Sequence, residues 1–150
     1  MPSTITTGTL VVELNTTLVL NTENFNTSNK LTITNIDQAD KRIFSIPFAS
    51  EVEIVNFSTG VGAGTFIGAN VKHFQITNKD SANFVRIRVA KTTGQTFDIK
   101  LEAGKYFILG NNKESVSETE AAFVAFVNID SISAQADTAD VDIEYFIAST

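Results

Sequence analysis

The sequence predicts an all-β protein, an antiparallel β-sandwich of the jelly-roll kind with an extended N-terminal arm. Short segments alternate between apolar and polar residues and are separated by turn-forming residues, which is the pattern of half-buried strands. Threonine, valine, isoleucine and phenylalanine are plentiful, with twelve phenylalanines but one methionine and no tryptophan, and this composition favours strands. No long window keeps the spacing of roughly 3.6 residues that marks a helix.

Size, charge and cysteine content limit the class of protein. A chain of 150 residues is long enough to bury a core without disulfides, and it has no cysteine. The net charge of −6 argues against nucleic acid as a partner, because phosphate binding depends on clustered Lys and Arg. The Met-Pro-Ser start lacks a basic segment before an apolar run, and no stretch approaches the ~20 apolar residues of a membrane span. We therefore expect that the protein binds neither nucleic acid nor a membrane and that it has no cleaved signal peptide.

An N-terminal arm is expected at residues 1–29, ahead of a single sandwich domain at residues 30–150. The arm is rich in Thr, Ser and Asn, and its strand candidates are residues 10–14 and 17–20. Residues 21–29 are polar except for Phe25. This composition fits either a surface loop or an arm that lies on another protein, and the sequence leaves both interpretations open.

The sandwich is expected to begin with a hairpin. Residues 31–36 and 42–46 alternate as strands do, around a polar turn. Pro47 cannot donate a ladder hydrogen bond, so it belongs at a strand end. The next strand, residues 51–57, would direct Val52 and Ile54 inward.

Residues 59–70 are the one glycine-dense stretch and follow a strand as a phosphate loop does. A dinucleotide fingerprint needs the spacing G-x-G-x-x-G. The third glycine is missing whether the count starts at Gly60 or at Gly62, and no Gly-Lys-Ser/Thr follows Gly64. We therefore interpret the stretch as a flexible connection between strands that packs on a neighbouring subunit.

The clearest strand pattern runs through residues 71–110, in four segments joined by turns. The predicted inward residues are Phe74 and Ile76 in the first segment, Val85, Ile87 and Val89 in the second, and Phe97, Ile99 and Leu101 in the third. Arg86 and Arg88 face the opposite way. The fourth segment, residues 106–109, is apolar on both faces, so it lies either at the centre of the sandwich or at a subunit contact.

Two further strands are predicted near the C-terminus. Residues 122–127 are short and rich in Phe and Val, which favours a buried strand, and the spacing of Ser117 and Glu120 permits one helical turn before it. Residues 140–147 alternate strictly. Their predicted inner face consists of Val141, Ile143, Tyr145 and Ile147.

Residues of catalytic or metal-binding type do not form a recognisable set. His73 is the only histidine, which excludes a two-histidine metal site within one chain, and we interpret it as a half-exposed strand residue. Asp140, Asp142 and Glu144 have the spacing that begins a calcium loop, but Tyr145 stands where that loop needs glycine. We predict no enzyme activity, no metal and no cofactor.

A binding surface is the kind of site that remains. Its candidate residues are aromatic, glycine or arginine residues expected outside the core, namely Phe25, Gly60, Gly62, Gly64, Phe66, Arg86, Arg88 and Phe146. One role open to the outward acids of the last strand is to pair with the two arginines, on a neighbouring strand or in a neighbouring subunit, since opposite charges on adjacent strands add up to ~1 kcal/mol. The sequence does not fix the strand order that this pairing requires.

Two passages resemble small β-sandwich virion proteins of tailed bacteriophages. They are residues 71–110, which include ITNKDSANFVRI and LEAGKYFIL, and the closing passage AQADTADVDIEYFIAST. The resemblance implies a jelly roll or related sandwich in the virion. It also implies a homo-oligomer that binds other virion proteins, such as a major capsid or connector protein.

Two classes of function follow from these observations. In the first, the chain is an auxiliary or decoration protein of the capsid, or a neck, tail or fibre component, that is assembled in the host cytoplasm and binds through its loops and N-terminal arm. In the second, it is a carbohydrate-binding sandwich used in receptor attachment, which presents exposed aromatic rings. The scattered phenylalanines and the lack of tryptophan favour the first class.

Overall fold

The computed structural model describes residues 4–58, 60, 62, 64–91, 94, 96–111 and 128–150. These residues are nearly all in strands, which confirms the predicted all-β sandwich. The chain divides into two compact units, Met1–Gln38 with Thr150, and Ala39–Ser149. Among the described residues, no helix has the length and apolar content needed to cross a membrane.

The first unit is a two-stranded antiparallel ribbon. Its long strands are β1 (Gly8–Thr16) and β4 (Thr27–Ile36), and its short strands β2 (Val19–Leu20) and β3 (Glu23–Asn24) form a small hairpin at the tip. Asn21 and Thr22 join β2 to β3 with φ angles of 51° and 68°. Positive φ at both central residues defines the two-residue type I′ turn, whose twist matches that of the strands. The predicted loop at residues 21–29 is therefore largely part of the ribbon.

The described residues of the second unit form nine strands in two sheets. They are β5 (Gln38–Ile46), β6 (Val52–Ser58), β7 (Thr65–Ile67), β8 (Val71–Asn78), β9 (Val85–Lys91), β10 (Thr96–Leu101), β11 (Tyr106–Leu109), β12 (Ile129–Ala136) and β13 (Val141–Ser149). One sheet has the order β10-β9-β12-β6-β7 and the other has the order β11-β8-β13-β5. A single 3₁₀ turn, Gly68–Asn70, precedes β8.

The strand order of the second unit is that of a jelly roll. Strands from the two halves of the chain pair in a nested way: β5 lies beside β13, β6 beside β12, β8 beside β11 and β9 beside β10. A long hairpin that folds over into two sheets gives this nested order. The short strand β7 is an addition at one edge, where it runs parallel to β6.

The predicted hairpin at the start of the sandwich is wrong. Residues 31–36 belong to β4 and pair with β1, whereas residues 42–46 belong to β5 and lie in the four-stranded sheet. Only Asp37 separates β4 from β5, and one residue is too short to reverse the chain. The two units meet after Gln38, whereas the prediction placed the boundary after residue 29.

The core lies between the two sheets and follows the predicted alternation. Phe74 on β8 and Ile147 on β13 lie side by side and are fully buried, as are the inward residues Val85, Ile87 and Val89 of β9. The last strand does complete the sandwich, since β13 pairs with β8 at the centre of the four-stranded sheet. On β6 a bulge opposite β12 interrupts the alternation, so Ile54 and its neighbour Val55 are both buried.

Two strands are predicted from segments that are apolar on both faces, residues 106–109 and 122–127, and the structure describes the first of them. Residues 106–109 form β11, which is an edge strand of its sheet, so the central position considered for it is wrong. The predicted strand at residues 122–127 lies outside the described residues, as do Ser117 and Glu120.

Candidate interaction surfaces

The eight candidate surface residues lie in several different places. Phe66, on β7, is only 2% exposed and belongs to the core, so its assignment to the surface is wrong. Apolar side chains at the end of a glycine-rich stretch are expected in loops, but Phe66 lies opposite Phe57 of β6 and therefore follows that strand into the core. Phe25 is 54% exposed at the tip of the ribbon.

The glycines of residues 59–70 lie beside β6. Gly60 and Gly62 are exposed. Thr65 donates its backbone N–H to Gly62 at 3.0 Å, and the carbonyl of Gly64 accepts the N–H of Asn56 at 2.9 Å. Gly64 has a φ of 72°, a left-handed conformation that glycine adopts without steric cost. The described part of this stretch is thus hydrogen-bonded to its own sheet.

Arg86 and Arg88 lie on the outer face of the five-stranded sheet, within a closed set of ion pairs. Both donate to the same oxygen of Glu51, at 2.7 and 2.9 Å. Arg88 also makes two parallel hydrogen bonds to Asp98, at 2.8 and 2.9 Å, and Arg86 donates to the side-chain oxygen of Gln135 at 2.7 Å. The hydrogen bond from Arg88 holds the pKa of Asp98 below its ordinary value.

The pairing of these arginines with the acids of the last strand on a neighbouring strand is wrong. The outward acids of β13 lie in the other sheet, and one of them, Glu144, pairs instead with Lys41 of β5 at 3.4 Å. Strand order decides which charges meet, and alternation along one strand carries no information about it. Because the arginines are paired within the chain, this cluster stabilises the sandwich and leaves little unpaired charge for a partner to bind.

The outer face of the four-stranded sheet carries a mixed row of apolar and polar side chains. Ile108 of β11, Gln75 of β8 and Phe146 of β13 lie directly side by side. In the next row Tyr106 lies opposite Thr77 and is 61% exposed. Sequence reasoning missed Tyr106, because a strand that is apolar on both faces gives no sign of which face is open.

His73 lies on the same outer face but is 2% exposed, so the predicted half-exposed position is wrong. Its ring nitrogen lies 3.1 Å from the side-chain oxygen of Gln75, and its ring centre is 6.1 Å from that of Phe146. Because its ring is buried against these two side chains, we assign His73 a structural role.

A cavity of about 380 Å³ lies at the sandwich edge where β5 approaches β6. Its lining includes Arg42, Phe44, Glu53 and Tyr145. The hydroxyl of Tyr145 donates to Asp40 at 2.6 Å, and burial together with this hydrogen bond raises the pKa of Tyr145 to about 12. The hydroxyl is therefore held as a proton donor. Within the described residues, no group of three or more His, Cys, Asp or Glu side chains could hold a metal ion.

The two passages that carry the resemblance to phage proteins meet at one end of the sandwich. Lys79, after β8, donates its backbone N–H to the carbonyl of Asp142 at 2.8 Å, and Asp137 donates to the carbonyl of Phe84 at 3.3 Å. The carboxylate of Asp80 accepts backbone N–H groups within its own loop at 2.7 Å, and these bonds hold its pKa below the ordinary value. The two passages thus form loops that are hydrogen-bonded to each other, and they do not form a site with exposed reactive groups.

The ribbon has one polar face and one apolar face, because residues opposite each other in an antiparallel pair project on the same side. On the polar face Glu13 pairs with Lys30 at 3.4 Å, and Ser28 donates to Asn15 at 2.6 Å. The apolar face consists of Leu10, Val12 and Leu14 of β1 with Leu31 and Ile33 of β4.

The tip of the ribbon and one end of its apolar face are exposed. Leu14 and Leu31 are 46% and 55% exposed, whereas Leu10, Val12 and Ile33 are half-buried. At the tip the exposed fractions of Leu18, Val19, Leu20 and Phe25 lie between 49% and 60%. Scattered single apolar residues on a surface are ordinary, but a contiguous set marks an interaction site. The ribbon is therefore the strongest candidate for a binding surface among the described residues.

Compared with protein-family models and with curated proteins, the chain matches none.

Proposed function

We propose that this protein is a non-enzymatic structural protein of a tailed-phage virion. In this proposal it is an auxiliary or decoration protein that binds other capsid proteins and stabilises the capsid, and the ribbon is its main point of attachment. The observation that carries the proposal is the amphipathic ribbon, a separate unit whose apolar face and tip are partly exposed.

A ribbon of this kind has a physical need for a partner. An isolated two-stranded hairpin is at best marginally stable in water, and a third strand or a packed apolar face is needed to stabilise it. Leu14 and Leu31 are 46% and 55% exposed, so the described residues of the chain leave them about half uncovered. This need is met if the ribbon is an attachment arm that becomes stable when it docks on another protein.

The sandwich supplies the rigid base for such an arm. Its end loops are joined by hydrogen bonds between Lys79 and Asp142 and between Asp137 and Phe84, and its outer arginines are paired internally. Such a module suits scaffolding and surface contact. The resemblance of the two loop passages to small phage virion proteins supports the same class.

Immunogold labelling tests the proposal. Antibodies raised against the purified chain would be applied to particles of the phage that encodes it. We expect gold on the capsid shell, at many positions per particle. Gold confined to the neck, tail or fibres would transfer the structural role to those parts. Unlabelled particles, with no chain detected in them by mass spectrometry, would exclude a virion protein.

A second candidate is a carbohydrate-binding sandwich for receptor attachment, favoured by the outer face of β11. Tyr106 is 61% exposed there, and the polar side chain of Thr77 lies beside it. Aromatic rings next to hydrogen-bonding groups suit the apolar faces and hydroxyls of a sugar. A glycan array with the wild-type chain and the Tyr106→Ala variant tests it, and binding that this change abolishes would favour the second candidate.

A further inference from the structure

We infer that the apolar face of the ribbon packs against the same face in a second copy of this chain, so that two ribbons form one four-stranded, two-layer unit. The inference deepens the proposed assembly role and rests on it. It starts from the polar face, whose charged and amide groups are already paired, Glu13 with Lys30 and Asn15 with Ser28. The opposite face carries most of the apolar side chains of the long strands, Leu10, Val12, Leu14, Leu31 and Ile33, whereas the polar face carries the single exposed Val11.

The occupant of an apolar face must itself be apolar and of matching shape. Strands of nine and ten residues are each about 30 Å long at ~3.3 Å per residue. A second ribbon has the same length, the same pleat and the same apolar row, and stacked sheets pack ~10 Å apart. A two-fold axis then brings each face onto its own copy, as in most homodimers.

The size of the apolar surface fits this pairing. Five large side chains that strand alternation places on the apolar side of the ribbon, Leu14, Leu18, Leu20, Phe25 and Leu31, are each roughly half exposed, which amounts to several hundred Å² of apolar surface per copy. A stable interface buries ~800 Å² per partner, of which ~60% is apolar, so its apolar share is also several hundred Å². The ribbon alone therefore carries the apolar surface that a stable dimer needs.

Stacking also supplies the missing strands. A two-stranded ribbon is marginal by itself, and the threshold for independent stability is about three strands with an apolar face. Two stacked ribbons provide four strands and a shared apolar layer. The tip of each ribbon, with Leu20 and Phe25 on one side, extends that layer beyond the long strands.

The test compares two matched double variants of the full chain by sedimentation equilibrium. V12K/L31E replaces a directly opposite pair on the apolar face, and V11K/T32E replaces the adjacent opposite pair on the polar face. Each variant introduces the same two residue types as a cross-strand ion pair, so each retains strand pairing in the ribbon. Far-UV circular dichroism checks that both variants keep the β-structure of the wild type.

We expect the wild type to self-associate in the micromolar range, V12K/L31E to associate at least about tenfold more weakly, and V11K/T32E to match the wild type. A monomeric wild type would overturn the inference, as would self-association that V12K/L31E leaves unchanged or that both variants weaken equally. If the chain is monomeric but antibodies against it still label phage particles, only this inference is refuted. Self-association through the apolar face without any chain in particles would refute only the virion role.

Discussion

The side-chain amide of Asn78 donates a hydrogen bond to the carbonyl oxygen of Leu101 at 3.1 Å, across the interior end of the sandwich. The same amide donates to the carbonyl of Asn83 at 2.9 Å, and the Asn78 side-chain oxygen accepts the N–H of Asp80 at 2.9 Å. Asn78 is 1% exposed. One buried side chain thus fixes the β8–β9 loop to the end of β10.

Replacing Asn78 with alanine is expected to destabilise the second unit by about 2–4 kcal/mol, because it leaves buried backbone groups without partners. Urea unfolding followed by tyrosine fluorescence measures this change. Both tyrosines, Tyr106 and Tyr145, belong to the second unit, and the chain has no tryptophan, so the signal reports on the sandwich alone.

Lys79→Ala is the control for this substitution, since the adjacent lysine is exposed and its backbone N–H, which bonds Asp142, survives the change. The control is expected to alter the free energy of unfolding by less than about 0.5 kcal/mol. Equal effects of the two substitutions would refute the role assigned to Asn78.

The second prediction concerns pH and the buried hydroxyl of Tyr145. Its pKa is raised from 10.0 to about 12 in the folded protein, so folding favours the protonated hydroxyl. The associated stability is complete below about pH 10 and is lost as the pH rises through about 12. The loss is on the order of 2 kcal/mol.

Calorimetry of the wild type and Tyr145→Phe between about pH 8 and 12 checks this linkage. The variant lacks the hydrogen bond to Asp40, so it is expected to be about 1 kcal/mol less stable below pH 10. Its deficit should shrink above pH 10 and change sign before pH 12, because only the wild type loses about 2 kcal/mol through this group. A constant difference over the whole range would contradict the raised pKa.

The sequence predicts individual strands well because alternation is a local property. In β9 and β13 the residues that alternate inward, such as Val85 and Ile143, are the fully buried ones. Strand type and inward face therefore follow from side-chain period alone. The same reasoning fails at Phe66, where the parallel pairing of β7 with β6, the strand before it in the chain, decides burial.

Pairing partners and edges cannot be predicted in this way, because they depend on contacts between distant segments. Residues 31–36 fit β1 and residues 42–46 equally well by pattern, and the single residue Asp37 left between the observed strands decides between them. The acids of β13 and the arginines of β9 are complementary in charge but lie in different sheets. The amphipathic ribbon, which carries the proposed function, became visible only once the register of β1 and β4 was known.

The third prediction concerns the ion pair between Arg88 and Asp98. Since the folded protein lowers the pKa of Asp98, the pair contributes stability above the ordinary carboxyl pKa of 3.8 and loses it as the pH falls below that value. Both side chains are about one-third exposed, so water screens the pair and its contribution is below about 1 kcal/mol.

A double-mutant cycle with Arg88→Gln and Asp98→Asn isolates that contribution. A favourable coupling energy is expected near neutral pH, and it should decline as the pH falls below 3.8 and weaken at high salt. Coupling that persists in acid would show that the hydrogen-bond geometry matters more than the charge.

The fourth prediction concerns the ribbon tip, where Thr22 has a φ of 68°. A β-branched residue in the left-handed region costs ~1–2 kcal/mol, and Asn-Gly is the preferred pair in a type I′ turn. Thr22→Gly is therefore expected to stabilise the tip by about 1 kcal/mol and to slow exchange of the Phe25 amide hydrogen, which bonds the carbonyl of Leu18 at 2.9 Å. Hydrogen exchange measured by NMR reads this amide directly.

In contrast, Thr32→Gly, within the extended strand β4, should speed exchange across the ribbon, because glycine weakens a strand interior. Faster exchange at Phe25 in Thr22→Gly would mean that the threonine stabilises the turn, and the assigned strain would be wrong.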